Sequence, residues 1–114
     1  MKMIKTLTIA TLLSLSIAAS AQGLPASTTF EISIFSMNLP VSANGRVAIR
    51  ECDDCDYHSI RVTPQTVYQV NGKALRLNDF RKAITDLRRE GDITVNVKRD
   101  DTSNTVASIR VSQQ

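Results

Sequence analysis

Only one stretch of this chain spaces its apolar residues for a helix. In residues 78 to 90, "NDFRKAITDLRRE", Phe80, Ala83, Ile84 and Leu87 fall at i, i+3, i+4 and i+7 and make a single stripe. Asn78 is a suitable N-cap, and Asp79 suits the positive start of the helix. Arg88 and Arg89 suit its negative end, and Gly91 can adopt the left-handed conformation that closes it. The rest of the C-terminal two-thirds alternates polar and apolar residues in short runs, the pattern of strands with one buried face. A lone amphipathic helix must bury its stripe against something, and here that is a sheet. The expected class is α+β: a small antiparallel or mixed sheet of about six strands, with one helix packed on one face.

The strands read as follows. Residues 29 to 37 begin with Phe30, Ile32 and Ile34 on one face. The phase then flips, so that Phe35, Met37, Leu39 and Val41 share the other. Such a flip predicts a bulge or burial on both faces, and Pro40 predicts an edge or a strand end. Asn44-Gly45 is a two-residue hairpin signal of type I′. Residues 46 to 52 place Val47 and Ile49 inward, and 57 to 63 align His58, Ile60 and Val62 until Pro64 stops the run. A second Asn-Gly pair at 71 and 72 sets Tyr68 opposite Leu75. After the helix, 93 to 99 turns Ile93, Val95 and Val97 inward. A polar turn spans 100 to 104, and 105 to 112 turns Ala107, Ile109 and Val111 inward. With three Phe, two Tyr and no Trp, the core must be mainly Val, Ile and Leu. The succession of strand, Asn-Gly turn, "LNDFRKAI" helix and strand over residues 60 to 99 resembles the periplasmic domains of TolR and ExbD. That resemblance implies a shared local arrangement and carries no function across.

Residues 1 to 21 read as a cleaved signal peptide. Lys2 and Lys5 precede the apolar run 6 to 18, and Ala19-Ser20-Ala21 places small residues where a signal peptidase reads. The run is well short of the roughly 20 apolar residues that span a bilayer. Cleavage after Ala21 makes Gln22 the new N-terminus, with 22 to 28 as a flexible lead-in and 29 to 114 as a single domain. No transmembrane anchor is expected after cleavage, and the periplasm is favoured over the external medium. Removing Lys2 and Lys5 from the 14 Lys and Arg leaves 12 against 11 Asp and Glu. That near-neutral balance excludes the basic excess a nucleic-acid partner would require.

The pointed chemistry lies in "ECDDCDYHS", residues 51 to 59. In an oxidising compartment Cys52 and Cys55 are expected to form one local disulfide. So short a loop gains only about 2 kcal/mol from cross-linking, enough to pin a turn between two strands. Two other readings compete. The C-x2-C-x2-H spacing makes Cys52, Cys55 and His58 candidate metal ligands, although a structural zinc wants four groups and the chain has no second pair. Redox-active thiols are disfavoured because Glu51, Asp53, Asp54 and Asp56 oppose a thiolate and no helix starts after Cys55. His58, the only histidine, is expected to be a partly buried strand residue. Asp56 and Ser59 lie near it in sequence, but a triad is defined by geometry. No phosphate loop or nucleophile elbow is present, and no cofactor is expected.

On the helix, Arg81 and Arg88 fall together on one flank of the apolar stripe, and Asp79 and Asp86 on the other. Arg76, Arg81 and Arg88 could form a small anion-binding strip for lipid headgroups or an acidic partner. The resulting expectation is a small exported, non-catalytic binding or accessory module for an unknown envelope protein or ligand. Its working parts would be the 51 to 59 loop and the open sheet surface, with self-association through edge strands. The alternative is a metal- or redox-responsive protein using Cys52, Cys55 and His58. An enzyme or enzyme inhibitor acting on envelope components has no support beyond compartment.

Overall fold

The computed structural model describes residues 26 to 112. The expected signal peptide, its expected cleavage site and the first residues of the expected lead-in lie outside the described residues. In chain order the elements are β1 (Ser27–Ser33), a 3-10 turn (Ile34–Ser36), β2 (Met37–Asn38), β3 (Arg46–Ile49), β4 (His58–Arg61), β5 (Val67–Val70), β6 (Lys73–Leu75), α1 (Leu77–Arg88), β7 (Thr94–Asp100) and β8 (Thr105–Val111). Among the described residues this is α+β, one helix against a mixed sheet. The sheet there has eight strands rather than about six, because the first long run breaks in two and each half of the second hairpin is a separate short strand. β1 also begins at Ser27, inside the expected lead-in: Ser27 and Thr28 pair with Asp100 and Arg99 of β7.

The strand order β1-β7-β8-β4-β3-β2 dictates the shape. Its two end strands, β1 and β2, are consecutive in the chain. Six strands side by side at about 4.8 Å would hold the sheet ends roughly 24 Å apart. The link from Ser33 to Met37 can reach only about 14 Å. The sheet must therefore curl until its ends approach. Its concave side holds Ile32, Ile34, Met37, Val47, Ile49, Ile60, Val62, Val95, Val97, Ile109 and Val111, all buried.

The corner explains the phase flip. Ile34–Ser36 wind into a 3-10 turn, and the Ser33 hydroxyl oxygen accepts from Phe35 N (3.1 Å) at its start. One tight turn rotates the chain, so Ile34, Ser36 and Met37 are buried while Phe35 is 52% exposed. Phe35 and Val41, expected on the face with Met37, both lie out in solvent.

The two Asn-Gly pairs behave differently. Asn71 and Gly72 have φ of 52° and 84°, as a type I′ turn requires, and Tyr68 faces Leu75. Asn44 and Gly45 are not among the positive-φ residues. They end a longer loop closed by Gly45 N donating to Ser42 O (3.1 Å). Space there is tight: a Cβ on Gly45 would come within 3.1 Å of the Pro40 Cβ, so a larger residue would push its neighbour aside.

β8 is flanked on one edge by two successive strands. β4 pairs with it in parallel at Thr105, and β5 pairs in parallel from Ser108 to Val111. The turn between them leaves a gap in the ladder, which Thr66 fills. Its buried hydroxyl donates to Val106 O (2.7 Å) and accepts from Thr63 N (3.0 Å). A bulge opposite Lys98/Arg99 shifts the register of β8, so Val106 enters the core and Ala107 is only half-buried. An alternation pattern carried through that bulge predicts Ala107 instead.

α1 lies against β5, with the Phe80 and Tyr68 rings 5.2 Å apart, and against the 3-10 turn. It starts one residue earlier and ends two earlier than the apolar spacing predicts. Arg76 occupies the N-cap position with no side-chain cap bond, which puts Asn78 inside the first turn. Phe80, Ile84 and Leu87 are buried as the stripe requires.

Thr66 supplies the test of this arrangement. Thr66→Val keeps the shape but leaves Val106 O and Thr63 N without partners, and should cost about 2 kcal/mol in urea unfolding. An unchanged midpoint would mean the gap is closed some other way.

Candidate functional site

Two places on the surface gather chemically capable side chains. The first is the loop from 50 to 57 joining β3 to β4. Cys52 and Cys55 form a disulfide with Cα atoms 5.0 Å apart, and Cys55 N donates to Cys52 O (3.1 Å). The bridge pins a local turn, as the spacing suggests. The Arg50 guanidinium lies 4.9 Å from the centre of the Tyr57 ring and closes the neck of the loop.

His58 opens β4, half-buried. The Phe30 ring meets it edge-on at 5.5 Å, and its Nε2 lies 3.6 Å from a Glu51 carboxylate oxygen. Ser59 is the next residue along the strand and therefore points to the opposite face, so His58 and Ser59 do not converge. Among the described residues no group of three or more His, Cys, Asp or Glu side chains is placed to hold a metal ion. The expected Cys52, Cys55 and His58 set instead consists of a bridged cysteine pair and a histidine beside Phe30.

Phe30 also links this end to a cluster that sequence spacing does not reveal. Arg99 lies 5.3 Å from the centre of the Phe30 ring, the same ring that meets His58, and its Nε donates to Asp101 (2.8 Å). The Thr28 hydroxyl donates to the same carboxylate at 2.8 and 3.1 Å. The group ties the start of β1 to the β7–β8 turn. Its residues are 73 positions apart in the chain and meet only because β1 pairs with β7.

The second place is the flank of α1. Arg81 and Arg88 lie two turns apart and line a recess of ≈ 240 Å³ together with Asn38, Leu39, Ile84 and Thr85. A shallower hollow of ≈ 360 Å³ adjoins it, lined by Asn78, Arg81, Lys82 and Thr85. None of these residues is acidic. Asp79 and Asp86 lie roughly 150° round the helix from Arg81. Arg88 has one edge engaged: its Nε donates to Ile34 O (3.2 Å) and its Nη2 to Met37 O. A guanidinium has five N–H groups, so Arg88 retains donors beyond those two bonds. The Thr85 hydroxyl donates to Arg81 O (3.0 Å), leaving it no proton for an anion. Arg76, at the exposed N-cap, is not among the lining residues. The sequence grouped Arg81 with Arg88; it could not reveal Asn38 and Leu39, which reach the recess through the curl of the sheet.

Tyr68 is a third unusual group. Its hydroxyl is buried with no hydrogen-bond partner, and burial raises its pKa. It packs on Phe80 and lines neither recess. Among the described residues, no helix is long and apolar enough to cross a membrane. Comparison of the chain with protein-family models, with curated proteins and with solved structures finds no match.

The Asp101 cluster makes a pH prediction. The hydrogen bond from Arg99, then that from Thr28, holds the Asp101 carboxyl below its ordinary 3.8. A lowered value in the folded state means that ionised Asp101 stabilises the fold. That contribution is complete above the unfolded value and is lost as pH falls through the folded one. Urea midpoints stepped downward from pH 5 should show an acid-sensitive component that Asp101→Asn lacks. Parallel curves for the two proteins would contradict the assignment.

Proposed function

We propose that this chain is a small exported, non-catalytic binding module, and that the recess beside α1 is where it takes an anionic group. The observation that carries this reading is the meeting of Arg81 and Arg88 with the Asn38 amide in one recess lined by no carboxylate. Two guanidinium groups with free N–H edges match the planar or tetrahedral oxygens of a carboxylate or phosphate. Arg88 is fixed in place by its bonds to the 3-10 turn, so little side-chain entropy remains to be lost on binding. Lys82, in the adjoining hollow, adds a charge without demanding geometry.

Export rests on the leader and on the oxidised cysteine pair, and the periplasm remains the favoured compartment. A metal- or redox-responsive loop is the weaker reading. Cys52 and Cys55 are joined to each other, and His58 packs edge-on against Phe30 rather than against a second ligand pair.

The test uses protein recovered from the export compartment, its intact mass expected to begin at Gln22 and to be two hydrogens light. Titration with inorganic phosphate should shift the Arg81 and Arg88 side-chain NMR signals. Arg81→Gln should weaken that binding about tenfold or more, since it removes a charged hydrogen bond. Phosphate binding that is indifferent to Arg81 would sink the proposal. Two alkylatable thiols, or a metal retained in the native mass, would move the site to the cysteine loop.

A further inference from the structure

Beside the basic recess the chain exposes large apolar side chains that the core does not use. Phe35 is 52% exposed and Val41 75%, the most exposed of the large hydrophobics described. Arg88 binds the carbonyls of Ile34 and Met37, the residues that bracket Phe35 and Ser36. The exposed ring is therefore carried by the turn that Arg88 holds, next to the recess in the chain. Leu39 lines the recess itself, and Val41 lies two residues further along the same loop. Pro40, between them, is buried and packed close to Gly45, which anchors the loop. The two apolar side chains thus project from braced backbone.

We propose that this surface docks on an anionic lipid bilayer, with Arg81, Lys82 and Arg88 at the headgroup phosphates and Phe35 and Val41 in the interfacial layer. This rests on the anion-binding reading of the recess and names its source. The charge pattern favours a bilayer over a protein groove. Arg81 and Arg88 lie on one flank of α1 with Lys82 toward its outer face, and no carboxylate lines either hollow, so a negative surface laid over them meets cations first. A free phosphate would satisfy the arginines but would leave Phe35 and Val41 in water; a membrane interface accommodates both kinds of group. Two short apolar contacts with a few cations give weak, reversible attachment that depends on the anionic lipid, unlike a spanning helix.

The experiment is co-sedimentation of the exported protein, its N-terminus verified by mass, with two kinds of vesicle. One is phosphatidylcholine alone, and the other an equal mixture of phosphatidylcholine and phosphatidylglycerol. Phosphate titration runs in parallel. Binding should require phosphatidylglycerol and fall about fivefold in Arg81→Gln. It should also fall several-fold in Phe35→Ser and Val41→Ser, while both apolar variants keep the phosphate response of the parent chain. Both positions are exposed, so the variants should fold, and circular dichroism checks that they do. Phosphate binding without vesicle binding overturns the membrane inference and leaves the anion site standing. Failure of both overturns the two together. Vesicle binding that ignores Phe35 and Val41 also overturns the inference, because charge alone would then explain it.

Discussion

The fold depends on a corner of five residues, Ser33 to Met37. Between Ser33 and Met37 the chain leaves one end of the sheet and re-enters it at the other, and several backbone groups released in the crossing find side-chain or backbone partners. Ser33 Oγ accepts from Phe35 N and donates to Asp92 (2.5 Å). Ile34 N donates to Ile93 O (2.8 Å), and Ser36 O accepts from Arg50 N (3.0 Å). The carbonyls of Ile34 and Met37 accept from Arg88. Three distant parts of the chain thus converge on one turn: the helix, the β7 approach, and the neck of the cysteine loop. An unpaired buried backbone group costs about as much as a hydrogen bond lost, so the corner cannot open one bond at a time without penalty.

Arg88 gives this corner a functional side. A guanidinium placed at a helix end usually serves the helix dipole, and Arg88 sits in the last turn where that interaction is favourable. Here it also reaches across to the sheet and becomes one wall of the recess. The same bonds that close the sheet therefore orient a charged group beside Arg81. The cysteine loop is separate in role: its bridge is local, and its carboxylates would repel the anion that the other flank attracts.

Much of the class was legible in the sequence. The apolar spacing of Phe80, Ile84 and Leu87 identified the helix and its buried face, and Asn71-Gly72 fixed a turn and the Tyr68–Leu75 register. Spacing also put Cys52 and Cys55 within bridging reach, and Arg81 with Arg88 on one flank. What stayed hidden follows from contacts between distant residues. The phase flip after Ile34 signalled a break, but only the β1–β2 crossing makes it a 3-10 turn. The β8 bulge exchanges Ala107 for Val106 because β7 is already committed to its own register. Asn44-Gly45 has the composition of a type I′ turn, yet packing against Pro40 selects another conformation. Asn38 and Leu39 carry no motif, and they join the candidate site only through the curl.

The central claim is that Arg88 closes the sheet and shapes the recess through the same pair of bonds. Its most direct test is amide hydrogen exchange together with urea unfolding of Arg88→Gln, set beside Arg81→Gln. Losing bonds from a charged donor should lower the stability of Arg88→Gln by about 2 kcal/mol and speed exchange at Ile34 and Arg50. Arg81→Gln should leave both unchanged. Equal stability and equal protection in the two variants would contradict the account, because the corner would then be held without the helix.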